Sequence, residues 1–383
     1  DDTAPDSQVQ KPSVIALEGE TIVLQSDSRV TVTGGDISIE ASTNPRLQGS
    51  FGGLGDPDAS PAEVIVESGA IIDASGDDTT VVSVARNYVQ VAARGNELAD
   101  SPLQRDGAIR DETLVVDIRE GTEFLNIEGA VASIERDVHE RLSPGGTITI
   151  QSVGRVSIEE GATLDISGGS VTYSGDQVAP SQLVTADGQV LDMADADPNL
   201  VYSGVFGDFA FDHEKWGITE TFLPALSYYE AGYIEGRDAG ILEINAPGIV
   251  FEGNLIADTT AGIHQRMAPE DLAAGQFNAL TRSYNQVPLG GKLIIRQFNE
   301  NLQDLVIGED EGTVAAENDH PVSATDALIL SPEIFTESGV SRIEIDNAGR
   351  IIINRPLELT AFSNVDLLGT QVLVQSGITS PGG

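Results

Sequence analysis

The chain has 383 residues, 40% of them hydrophobic, with 61 acidic and 20 basic side chains and a net charge of −41. That balance argues against nucleic acid, which needs a basic face to displace counterions, and against docking on anionic lipid. No apolar run approaches the ~18 residues of a membrane-spanning helix, and the lack of cysteine excludes thiol catalysis, iron–sulfur clusters and Cys-ligated zinc.

So dense a negative surface suits a salt- or calcium-rich medium outside the cell, where cations screen the repulsion. The first residue is not Met, and no basic start leads into an apolar core. The sequence therefore reads as a mature or excised segment.

Short alternating runs begin with "GGDISIEAS" at Gly34. A Gly/Pro/Asp loop, "NPRLQGSFGGLGDPDASP", interrupts them over 44–61. Within it, Gly52–Ser60 resembles a calcium nonapeptide, but its acids are displaced and the unit occurs once. "AEVIVESGAIIDASG" resumes the alternation at Ala62. The clearest block is "GGTITIQSVGRVSIEEGATLDISGG", Gly145–Gly169. It places apolar pairs at Ile148/Ile150, Val156/Ile158 and Leu164/Ile166, each spaced by two and so on one face of a strand. Gly154, Gly161 and Gly168–Gly169 separate the pairs, where positive φ is expected to turn corners. Three strands and three corners make one closed loop.

A second interruption, 173–236, holds ten of the nineteen aromatic residues. Two readings stand: a small packed flap, or an exposed aromatic surface for a partner. Within it "LDMADADPN" sets Asp192, Asp195 and Asp197 close together, a calcium candidate because several carboxylates suit a hard cation. "AGILEINAPGIVFEGNLIADTTAG" returns to the pattern, and Ala239-Gly240 recurs 22 residues on as Ala261-Gly262. A third interruption, 263–289, predicts a short helix over His264–Gln286, with Pro269 in its first turn and Glu270 and Asp271 at its positive end. "GGKLIIRQ" follows. "GEDEG" offers a second calcium candidate in Glu309, Asp310 and Glu311. Finally "SGVSRIEIDNAGRIIINRPLELTAF" gives pairs Ile343/Ile345, Ile351/Ile353 and Leu357/Leu359, and Val365/Leu367 opens a new cycle 22 residues after Ile343.

A recurring three-strand unit of this length points to an all-β, right-handed parallel β-helix, or β-solenoid, running through 1–383. A sandwich of hairpins is the competing architecture. One winding cannot bury its inward Ile, Val and Leu alone, so windings must stack about 4.8 Å apart into a shared apolar column. About twelve windings would make a rod on the order of 60 Å long.

The chemistry-bearing residues are sparse. His139, His213, His264 and His320 show no paired metal-ligand spacing, and no carboxylate ladder runs along the regular strands. No catalytic or cofactor-binding residue is singled out, and no cofactor is required beyond optional calcium.

The Gly145–Gly169 and Ala62–Gly76 blocks resemble the filamentous haemagglutinin family of large bacterial exoproteins. "YIEGRDAGILEINAPGIVFEGNLIADTTAG" followed by "VPLGGKLIIRQ" is similar to a block in its biggest members. The resemblance implies a β-helical shaft secreted by an outer-membrane partner transporter and displayed on the cell surface for adhesion or matrix building. Only "NPRL" at Asn44 faintly matches the Asn-Pro motifs of that family's secretion domain. The expected function is a non-catalytic extracellular fibre or filament segment. Its expected partners are further windings of the same chain or identical copies end to end, and a glycan or host receptor. Alternatives are a calcium-dependent polysaccharide lyase or glycosidase, and a tailspike-like trimer.

Overall fold

The computed structural model describes residues 12–43, 60–99, 101–207, 209–213, 218–222, 227–268, 284–298, 302–308 and 328–381. The molecule is mostly β, and three parallel sheets organise it. In the first, Val14–Gly19, Asp36–Ala41, Thr147–Ser152, Ile241–Asn245, Gly291–Gln297, Val340–Ile353 and Asn364–Val374 lie side by side. The second carries Thr21–Leu24, Glu63–Val66, Arg155–Ile158 and Gly248–Phe251; the third carries Arg29–Thr31, Ile71–Asp73, Thr163–Asp165 and Asn254–Ile256. From Val14 to Ile256 the chain visits first, second and third sheet in that order four times.

Register converts sequence alternation into columns. Ile15, Ile37, Ile148, Leu242, Leu293, Ile343 and Val365 are successive partners, as are Leu17, Ile39, Ile150, Ile244, Ile295, Ile345 and Leu367. Interior members are sealed, whereas Ile15, Leu17, Val365 and Leu367 at the two ends are only partly buried. Each sealed aliphatic contributes roughly 1.5–3 kcal/mol before conformational entropy is subtracted. A residue's contribution thus depends on having a neighbour on both sides. Among the described residues, seven of the nine strands of the first sheet stack in this register, on the order of 30 Å at strand spacing, half the expected length.

The glycines between strands act differently from expectation. Gly161 has φ +86°, but Gly154, Gly168 and Gly169 are not among the positive-φ residues. They are small because backbones pass close: a Cβ at Gly154 would strike the Ala62 carbonyl, and at Gly169 that of Asp77. Gly146 sits likewise on Gly35, and Gly240 on Gly146, forming a glycine column down one corner.

Regularity fails twice after Ile256. Gly262 packs on the Ile234 carbonyl instead of stacking on Gly240, and Ile241 pairs with Lys292. The 22-residue recurrence there is therefore not a stacking period, because the intervening segment leaves to meet Tyr233. Further on, no corner forms at Gly349. Val340–Ile353 is one strand with a register shift between Asn347 and Arg350, and its second half pairs with Leu305–Ile307. Leu328–Leu330 flanks Leu305–Ile307 on the other side, as the last strand of the first sheet, and lies against Gly248–Phe251 of the second.

The sequence reading passed over one large departure. Residues 84–142 leave the stack between Thr80–Ser83 and Thr147–Ser152. Tyr88–Ala92 pairs antiparallel with Thr113–Asp117, followed by two short helices, Glu128–Ala132 and Val138–Arg141. Residues 182–205 add an antiparallel trio, Gln182–Thr185 between Val190–Asp192 and Tyr202–Val205. The two segments share a separate core that includes Leu98, Leu114, Val116, Phe124, Leu183, Met193 and Tyr202. Phe124 meets Tyr202 edge to face at 5.3 Å. This satellite is an antiparallel lobe beside parallel sheets.

Candidate functional site

The lobe joins the stack through a polar and aromatic knot. Tyr88 opens its strand directly opposite Asp117, which closes the partner strand. Two residues on, Arg119 folds back to lie 2.6 Å from both Asp117 Oδ2 and Glu230 Oε1. Its side chain is 10% exposed. The rings of Tyr88, Tyr233 and Tyr284 stand 5.4, 5.9 and 5.1 Å from the guanidinium carbon, close enough for cation–π attraction. Burial opposes the Arg119 charge, yet Asp117 and Glu230 outweigh it and hold the group cationic. The Tyr88 hydroxyl donates to Glu230 Oε2 at 2.7 Å and lies 3.1 Å from the Tyr228 hydroxyl. Burial, then these bonds, push its pKa up, so it stays a neutral phenol. Tyr173 stacks on Tyr233, and His264 on Tyr284. Burial first, then Arg119 and Arg266, lower the His264 pKa.

Above this knot a cleft of about 310 Å³ opens between the two lobe segments. Tyr88, Asp117 and Glu120 line one side, Gln182, Asp192 and Met193 another, and Tyr228 closes it. Two anchors set the spacing: Ser181 N–H donates to the Val115 carbonyl, and Ser181 Oγ accepts from Val115 N–H. Gln182 Nε2 donates to Asp192 Oδ1 at 2.7 Å, orienting that carboxylate. Burial, then Asp117, Asp192 and Asp195, raise the Glu120 pKa, with Arg119 pulling the other way. The cleft therefore offers hydrogen-bond acceptors beside an aromatic wall.

The first calcium triad is divided. Asp192 is on the cleft rim and Asp195 is exposed beside it, while Asp197 is spent on its own turn, accepting from Asn199 N–H at 2.8 Å. The 3₁₀ turn Met193–Asp195 buries Met193 between the acids. Among the described residues no group of three or more His, Asp or Glu is placed to hold a metal. Glu309, Asp310 and Glu311, the Gly52–Asp58 loop, and Pro269–Leu280 of the expected helix lie outside the described residues.

Of the insertion's aromatics, Tyr173, Tyr202 and Tyr233 are buried, and Tyr228 and Tyr229 are exposed. The segment thus holds both packed and exposed aromatics. Sequence reasoning missed Tyr88, Asp117, Arg119 and Glu120. Their one local signal is the Leu114/Val116/Ile118 alternation ending in a charged "DIRE". No protein-family model, curated protein or solved structure matches the chain.

Proposed function

We propose that this chain is a right-handed parallel β-helix whose role is structural and adhesive, a segment of an extracellular bacterial surface fibre that carries the antiparallel lobe as its displayed part. The observation that carries the reading is register. Ile39 and Ile150 are direct partners although they lie 111 positions apart in the chain, with the first lobe segment, residues 84–142, inserted between them. A stack that tolerates such an insertion acts as a spacer on which variation is mounted. The net charge of −41 supports an outside, cation-screened setting. The filamentous-haemagglutinin resemblance supplies the expected secretion partner, an outer-membrane transporter, and the expected neighbours, further windings or identical copies.

Immunogold labelling of intact source bacteria tests this. Antibody against the chain should decorate surface filaments; labelling seen only after cell disruption would contradict it.

A second reading rests on Glu120. A carboxyl raised toward its acid form, in a cleft that it lines together with Asp192, fits the general acid of a glycosidase. Turnover of a polysaccharide that disappears in Glu120→Gln, with or without calcium, would favour that reading.

A further inference from the structure

We infer that the cleft between Tyr228 and Asp192 binds an uncharged saccharide. The inference deepens the display reading and rests on it, since it names what the lobe holds.

Three features of the cleft carry it. First, the Tyr228 side is half exposed, and its hydroxyl lies 3.1 Å from that of Tyr88, which tethers the ring in a fixed attitude. A held, accessible aromatic face is what the C–H face of a sugar ring stacks on. Second, the cleft is also lined by Asp192, oriented by Gln182, and by Glu120. Both are acceptors that hydroxyl donors satisfy. Third, no Lys or Arg is among the described residues lining the cleft, and Arg119, next to Glu120 in the chain, is 10% exposed and paired to Asp117 and Glu230. An acidic sugar would meet carboxylates with no available counter-charge, so uronate and sulfated ligands are disfavoured. The volume of about 310 Å³ is at the small end of ligand pockets, with room for roughly one or two sugar rings.

The test is calorimetric titration of the whole chain with cellohexaose, maltohexaose, N-acetylchitohexaose and oligogalacturonate. At least one neutral hexaose should bind and oligogalacturonate should not. Tyr228→Ala should weaken binding about tenfold, and Tyr228→Phe, which keeps the ring, should lose much less; melting temperatures report whether each variant is folded. Absence of heat from all three neutral hexaoses at millimolar concentration, preference for the acidic oligomer, or affinity unchanged in Tyr228→Ala would each overturn the inference. Surface labelling reads the display proposal separately, so the two can fail independently. Binding without turnover separates it from the glycosidase reading.

Discussion

Arg119 and Glu230 meet at 2.6 Å although 111 positions separate them, and the contact stitches one insertion of the chain to another. Removing the guanidinium leaves Asp117 and Glu230 facing each other, 12% and 18% exposed, without a counter-charge. Arg119→Met should therefore destabilise the lobe by about 3–5 kcal/mol. Lysine should rescue poorly, because it cannot span both carboxylates with a planar fork. The lobe core is separate from the stack core, so denaturant unfolding should split into an early lobe transition and an unshifted stack transition. A single unchanged transition would contradict this account of the knot.

Glycine substitution separates close approach from corner-turning. A methyl at Gly146 would run into the Gly35 carbonyl, and one at Gly240 into that of Gly146. Gly146→Ala should cost about 1–3 kcal/mol by forcing adjacent strands apart. Gly95→Ala, with open space around it, should leave the melting temperature nearly unchanged.

The parts of the molecule legible in the sequence are those where physics is local. Ile148, Ile150, Val156, Ile158, Leu164 and Ile166 alternate with polar residues, and all are at most 1% exposed. A period of two names its own buried face. The lobe obeys the same period, as in Val89/Val91 and Leu114/Val116, so nothing local distinguishes its antiparallel ladders from parallel ones. The cleft was illegible for a related reason. Glu120 and Asp192 come from different insertions, brought together by Ser181 and Val115 in a pairing that has no periodicity. The Asp192–Asp195–Asp197 spacing looked like a ligand set, yet the turn there buries Met193, and among the described residues no group of three such side chains is placed to hold a metal.

Column position should grade core substitutions. Ile150 is fully buried between Ile39 and Ile244, while Ile15 has, among the described residues, a partner on one side only and is partly exposed. Ile150→Ala should cost about 2–5 kcal/mol, and Ile15→Ala distinctly less. Equal losses in equilibrium unfolding would mean that stability does not depend on stacked neighbours.

One pH dependence follows from His139 and Asp77, whose Nδ1 and Oδ2 are 2.9 Å apart. The hydrogen bond and charge of Asp77 raise the His139 pKa. For Asp77 burial acts upward, but hydrogen bonds from Thr79 and His139 bring its pKa below the ordinary value. The His139 contribution is complete below the ordinary histidine pKa and is lost as pH rises through the raised value; the Asp77 contribution is lost as pH falls through its lowered value. Stability should decline slightly between about pH 6 and pH 8. His139→Ala should flatten that decline, and an unaltered slope in the variant would rule out the pair as its source.

The most direct test of the stacked architecture is a distance between Ser38 and Thr149, outward-facing partners on adjacent strands with the whole first lobe segment between them. The chain has no cysteine, so Ser38→Cys with Thr149→Cys places spin labels at those two sites alone. Strong dipolar broadening, from backbones about 4.8 Å apart, is the predicted spectrum. Spectra that simply add those of the two single variants would show that the strands are not neighbours, and the stack would fall with them.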